Sequence, residues 1–211
     1  MDIRLVRIDD RLIHGQVATV WTRLSKAERI IVISDEVARD HLRKTLLRQV
    51  APPGVKVNVI PVEKFIEIYF DDTHNKFRAL LLFTNPTDVA RIVQSGVQID
   101  SVNIGSMSYS DGKKMITNAV AVDKRDIQAF EYLNYKGIHL DIRKVVADNK
   151  VDLMQVLKKE GLVWAHIRRR HKANGTAPCA FFIFRQNGIL FMRWQNAKRS
   201  LCRKFYERPG S

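Results

Sequence analysis

From residue 3 to residue 142 the chain repeats one pattern, in which short apolar runs rich in β-branched residues alternate with stretches of helical periodicity. The runs are residues 3–8 (IRLVRI), 28–33 (ERIIVI), 55–60 (VKVNVI), 77–83 (FRALLLF), 101–104 (SVNI) and 138–142 (IHLDI), with 119–122 (AVAV) a further short candidate. Near-continuous apolar runs suit strands buried on both faces, and parallel strands need connections long enough to hold a helix. The pattern therefore predicts an α/β fold: an open, mainly parallel, doubly wound sheet of six or seven strands with helices on both faces.

The helical stretches carry their own punctuation. Ser34 and Asp35 supply a cap for a helix in which Ala38, Leu42, Thr45, Leu46 and Gln49 share one face, ending before Pro52-Pro53-Gly54. Pro61 opens a helix with Val62, Phe65, Ile66 and Tyr69 on one stripe, closed by the polar residues 71–76. Asn85-Pro86-Thr87-Asp88 starts another, closed by Gly96. Asp123 and Asp126 load the start of a helix bearing Ile127, Phe130 and Leu133, with Gly137 beyond its end. Residues 151–159 return to helix.

Right-handed crossovers bring the loops that follow parallel strands to a common carboxyl edge, where α/β proteins usually place their chemistry. The first such loop joins the run at 3–8 to a segment with Val17, Val20, Trp21 and Leu24 at helical spacing. It holds Arg7, Asp9, Asp10, Arg11 and His14, with Gly15 and Gln16 opening the helix. An imidazole there suits a nucleophile, and arginine forks with the free N–H groups of a helix start suit a phosphoryl anion beside it. On spacing alone, an incidental histidine among solvated ion pairs is the commoner outcome. The loop at 105–114 falls on the same expected edge.

The run RIDDRLIHGQV resembles the phosphorylation-site loop of the mannose/fructose/sorbose-family IIB components of the bacterial phosphoenolpyruvate-dependent sugar phosphotransferase system (PTS). SDEVARD at 34–40, NIGSMSYSDGKK at 103–114 and VDLMQVLKK at 151–159 extend the resemblance over about the first 159 residues. It implies a one-domain IIB subunit acting as a protein-Nπ-phosphohistidine–sugar phosphotransferase. His14 would accept a phosphoryl group on Nδ1 from a IIA protein, and Arg11 would help its onward transfer to a sugar held by membrane IIC and IID subunits. Asp9 would orient an arginine or accept from the other ring nitrogen, although Asp9 and Asp10 equally balance the charges of Arg7 and Arg11. Arg7, Gly15, Gln16 and Ser106 are the expected phosphate contacts. The resemblance calls for no cofactor, leaves a homo-oligomer open, and implies a cytoplasmic protein that associates peripherally with the permease subunits.

Composition constrains the rest. The chain has 211 residues and a formal net charge of +14, which alone would point to nucleic acid or an anionic surface. Residues 160–211 hold 11 Lys+Arg against 2 Asp+Glu, leaving 25 against 20 in residues 1–159. The excess thus sits mainly in the last quarter, and no stable nucleic-acid partner is expected; a basic α/β nucleic-acid-binding module is the alternative. His41, His74 and His139 lack partners at ligand spacing, so no metal site is expected. No apolar run reaches the roughly 18 residues of a membrane span.

The domain is accordingly placed at 1–159 and an atypical basic segment at 160–211. That segment carries Cys179, Cys202, two of the three tryptophans and the run Arg168-Arg169-Arg170-His171-Lys172. Three readings are taken in order: an adventitious, unpacked extension from a shifted frame or junction; a hairpin of 180–184 (AFFIF) against 189–194; and a nucleic-acid contact. Its cysteines are expected to be reduced thiols.

Overall fold

The computed structural model describes residues 1–71, 77–163 and, as backbone, 180–186, 189–196 and 199–204. His74, Cys179 and the run 168–172 lie outside the described residues. Two compact units divide the chain, Met1–Ala165 and His166–Ser211.

The first unit is built on a seven-stranded sheet. Its strands are β1 (Asp2–Asp9), β2 (Arg29–Ile33), β3 (Lys56–Ile60), β4 (Arg78–Phe83), β5 (Ser101–Ser106), β8 (His139–Ile142) and β9 (Val151–Asp152), in the order β3-β2-β4-β1-β5-β8-β9. All pairings are parallel except the last, β8 with β9. A two-stranded antiparallel ribbon of β6 (Lys114–Met115) and β7 (Ala121–Val122) lies in the connection after β5. The expected mainly parallel α/β sheet is observed; residues 151–152, read as the start of a helix, instead form the antiparallel edge.

Alternation sorts the strand side chains into two layers. On β4, Ala79, Leu81 and Phe83 enter one core while Leu80 and Leu82 enter the other. The first core takes Val62 and Phe65 of α4 (Val62–Phe70), Val89 and Ile92 of α5 (Pro86–Gln94), Phe130 and Leu133 of α6 (Lys124–Tyr135), and Leu153 and Leu157 of α7 (Leu153–Lys159). The second takes Val17 and Trp21 of a π-helical turn (Val17–Trp21), Val37 of α2 (Asp35–Arg39) and Leu47 of α3 (His41–Gln49). A short helix, α1 (Thr22–Ser25), continues the π turn.

Caps account for most helix starts. Asn85 accepts from Asp88 N–H at 2.9 Å with Pro86 in the first turn, and Asp123 with Asp126 forms a reciprocal capping box. The helix predicted across 35–49 is broken. Asp40 is extended (φ −81°, ψ 99°) and caps α3 by accepting from Arg43 N–H, so α2 and α3 are separate. The break resets the helical phase: Leu42 and Leu46 of the predicted buried face are 71% and 52% exposed, and Leu47 is buried instead.

The unit also extends past Lys159. Val163 is buried, Leu162 packs on the first core, and Glu160 pairs with Lys114 at 3.0 Å. In the second unit, β10 (Ala180–Gln186) pairs antiparallel with β11 (Ile189–Asn196), which pairs antiparallel with β12 (Arg199–Lys204).

Candidate functional site at the carboxyl edge

Strand β1 lies in the middle of the sheet, between β4 and β5. The connection to β2 departs across the β4 side, whereas β5 and β8 lie on the other side, so the chain beyond β1 emerges where the winding direction reverses. Such a point opens a crevice at the carboxyl ends of the strands.

The loop itself is a tight reversal. Leu12 N–H donates to Asp9 C=O at 2.9 Å, and Leu12 takes a left-handed conformation (φ 57°). That conformation costs a non-glycine residue about 1–2 kcal/mol; full burial of the Leu12 side chain in the second core, at roughly 1.5–3 kcal/mol, offsets it. The reversal carries His14 back over the end of β1. From there Ala18 N–H donates to His14 C=O at 2.8 Å as the helix begins, and the N–H groups of Gly15, Gln16 and Val17 precede that first helical bond. The helix then widens, with Thr22 N–H reaching Val17 C=O five residues back. This π turn departs from the α period read in the sequence: Val17 and Trp21 are buried while Leu24 is 58% exposed.

Asp9 is wholly buried and central to the cluster. Its Oδ2 lies 3.0 Å from Nε2 of His14 and accepts from Nη2 of Arg7 at 2.8 Å and from Nε of Arg7 at 3.2 Å. Because a carboxylate only accepts, an imidazole hydrogen-bonded to Asp9 carries its hydrogen on Nε2 and, when neutral, its lone pair on Nδ1; Nη2 of Arg11, also a donor, then lies beside Nε2 without bonding to it. Arg11, half exposed, lies with Nη2 3.3 Å from His14 Nε2 and Nε 3.8 Å from Oδ1 of Asp9. His14 keeps 19% of its side chain in solvent.

Arg7, expected among the phosphate contacts, is wholly buried and committed elsewhere. Besides Asp9, its guanidinium donates to Oδ1 of Asn103, to Arg143 C=O at 3.0 Å and to Lys144 C=O at 3.1 Å, with the Trp21 ring centroid 4.6 Å from its central carbon. Burial pulls its pKa below the usual arginine value, and the Asp9 charge opposes that. These contacts correct the expectation: a guanidinium so enclosed supports Asp9 and does not present its fork to a ligand.

The remaining predicted residues fall around this centre. Gly15 and Gln16 are exposed at the helix start. Ser106 ends β5, accepts from Asp10 N–H at 3.2 Å, and lines a cavity of about 270 Å³ with Arg11, Tyr109, Asn118 and Lys144. Asp10 accepts from Ser108 N–H at 2.9 Å, which ties the two loops together. Burial pushes the Asp10 carboxyl up, but hydrogen bonds from Ser108 and Ser106 outweigh it and hold the group below the usual carboxylate range. Sequence reasoning missed Asn103, Asp141 and Lys144. Asn103 and Asp141 had a legible signal, as polar residues alternating with apolar ones in strands 101–104 and 138–142. Among the described residues no three His, Cys, Asp or Glu side chains gather as a metal ion would need.

Over residues 3–167 the chain matches the family described as the PTS system sorbose subfamily IIB component. It is 55% identical over 159 residues to the mannose-specific EIIAB component of Escherichia coli strain K12, covering 75% of this chain and 49% of that protein. Against the sorbose-specific EIIB component of Klebsiella pneumoniae it is 48% identical over 159 residues, covering 75% of this chain and 97% of that one. The crystal structure of the IIBSor domain of the sorbose permease from Klebsiella pneumoniae superposes with a TM-score of 0.74 at 48% identity, over 75% of this chain and 98% of that chain. The chain thus spans about half the length of the mannose-specific proteins it matches and nearly all of the sorbose-specific one. The family match over most of the chain, with the same fold in the sorbose-specific domain, places the chain among the IIB components of the sugar phosphotransferase system. Within that class the chain belongs to the sorbose subfamily of IIB components. Among the described residues no helix is long and apolar enough to cross a membrane.

Proposed function

We propose that this chain is a cytoplasmic phosphocarrier in which His14 takes a phosphoryl group from a phosphorylated IIA protein and passes it to a sugar bound by membrane IIC and IID subunits. The observation that carries the reading is the 3.0 Å contact between His14 Nε2 and the buried Asp9 carboxylate. With Nε2 so held, the Nδ1 lone pair attacks the phosphorus of the donor phosphohistidine. A new N–P bond forms as the donor's N–P bond breaks, and the donor imidazole keeps the released electron pair.

Such a transfer is catalysed by position and by charge. Asp9 favours the imidazolium character that develops on His14 as the bond to phosphorus forms. Arg11 meets the phosphoryl oxygens, aided by the N–H groups of Gly15 and Gln16 and by Ser106 and Lys144 at the neighbouring cavity. Donor and acceptor are both imidazole N–P bonds, so the step is close to thermoneutral and reversible, leaving the driving force for transfer to a sugar hydroxyl.

The test is reconstitution from phosphoenolpyruvate, the general phosphotransferase proteins, a IIA protein and membranes holding IIC and IID. Phosphate should load onto the chain and be chased off when a transported sugar is added. A chain that stays unlabelled beside fully phosphorylated IIA would overturn the reading.

A further inference from the structure

Asp9 does not hold His14 unaided. Arg7, Asn103 and Asp141 sit in register on adjacent parallel strands, Arg7 opposite Asn103 and Asn103 opposite Asp141. All three face the second layer, since their neighbours Val6, Ile8, Val102, Ile104, Leu140 and Ile142 enter the first core. Where hydrophobic side chains would ordinarily continue the layer, β1, β5 and β8 carry a row of polar groups.

The row is chemically continuous. Asp141 Oδ2 accepts from Nδ2 of Asn103 at 2.9 Å, which fixes the amide with Oδ1 toward Arg7. Oδ1 of Asn103 accepts from Nη1 of Arg7, and Nε and Nη2 of Arg7 donate to Oδ2 of Asp9, the atom that meets His14. Arg7, Asp9 and Asn103 are each at most 4% exposed. A buried charge and a buried amide are tolerated because each has its partners in the same row.

Gly105 provides the room. It lies two residues beyond Asn103 on the same face of β5, and a Cβ placed there would collide with the Arg7 guanidinium. The Arg7 head therefore occupies the volume that any other residue at 105 would fill.

We infer that Arg7, Asn103, Asp141 and Gly105 form a buried positioning row that fixes the Asp9 carboxylate, and through it the His14 ring, so that Nδ1 faces outward for phosphoryl transfer. Arg7 is thus a positioning residue acting through Asp9. The inference rests on the phosphocarrier reading for its purpose, while the ring geometry it requires is observable without any phosphate.

The experiment uses the full chain and two single variants, Asn103→Ala and Gly105→Ala, with folding checked by circular dichroism. The first readout is the His14 ring proton on Nε2, assigned by ¹⁵N correlation at a pH where the imidazole is neutral. In the unaltered chain it should be protected from exchange and shifted downfield by Asp9; in either folded variant it should exchange freely. The second is the rate of phosphate acceptance from a phosphorylated IIA protein, which should fall about tenfold to a hundredfold, the range seen when supporting contacts are lost. A protected proton in the folded variants overturns the inference whatever the rate, and so does an unprotected one in the unaltered chain. Absence of phosphate on the unaltered chain would instead overturn the phosphocarrier reading, with the proton measurement still deciding the positioning row.

Discussion

Oδ2 of Asp9 meets Nε2 of His14 at 3.0 Å from a site that solvent does not reach, so one ring nitrogen is held while the ring keeps 19% of its surface open. Arg11, by contrast, approaches from the solvent side with half of its own side chain exposed. In the proposed function the two groups divide the work, Asp9 orienting the ring and Arg11 meeting the transferred group.

Arg11→Ala should accordingly leave the fold intact, because an exposed side chain contributes little to stability. It should slow transfer from the phosphorylated chain to sugar more than acceptance from IIA, by roughly a hundredfold or more if the guanidinium offsets transition-state charge. Single-turnover rates of the two half-reactions provide the check. An equal loss in both would make Arg11 a general phosphate clamp.

Leu46 and Leu47 separate the observed packing from the helix face expected from sequence. Leu46→Ala should change unfolding free energy by no more than about 0.5 kcal/mol, as a surface substitution does. Leu47→Ala should cost about 2–5 kcal/mol through the cavity it leaves in the second core. Urea titration of both variants distinguishes them, and the reverse order would restore one continuous helix from 35 to 49.

That pair also shows what sequence could and could not convey. The strands at 28–33, 77–83 and 101–104 were legible because each is a β-branched or apolar run between helix signals, and pattern alone gave the α/β sheet. The Asp40 break was hidden because Asp40 reads as an ordinary polar residue in a helix, and its role as a cap depends on its backbone turning extended. The π turn was hidden likewise, since Val17 and Trp21 fit an α period as well as a wider one. At the site, the loop's residue types were informative, but two arginines four positions apart look alike in sequence. Only burial separates Arg7, enclosed beneath Asp9, from Arg11 at the surface.

The domain boundary offers a third test. A chain ending after Ala165 should unfold cooperatively and take up phosphate as fast as the full chain. One ending after Lys159 loses the buried Val163 and the half-buried Leu162 and should be less stable by at least about 1.5–3 kcal/mol, the value of fully burying one such side chain. Thermal unfolding of the two truncations makes the comparison. Loss of the fold in the longer one would show that residues 166–211 belong to the same cooperative unit.

Asp10 predicts an acid dependence. Its carboxyl lies below the ordinary range in the folded protein, so its contribution to stability is fully present above the unfolded value near 4 and is lost as pH falls through the folded value. Asp10→Asn should therefore be less stable than the unaltered chain at pH 7, with the gap narrowing below about pH 4. Urea unfolding at a series of pH values reads this directly, and a gap that does not change with pH would remove Asp10 from the linkage.

The most direct test of the whole account is mass-spectrometric mapping of phosphate on the chain after incubation with phosphoenolpyruvate, the general phosphotransferase proteins and IIA, beside the His14→Ala variant under alkaline conditions that preserve phosphohistidine. The account predicts phosphate on His14 of the unaltered chain and none on a variant that melts at nearly the same temperature. Undiminished phosphate on His14→Ala, or phosphate mapped to any of the other five histidines, would contradict it.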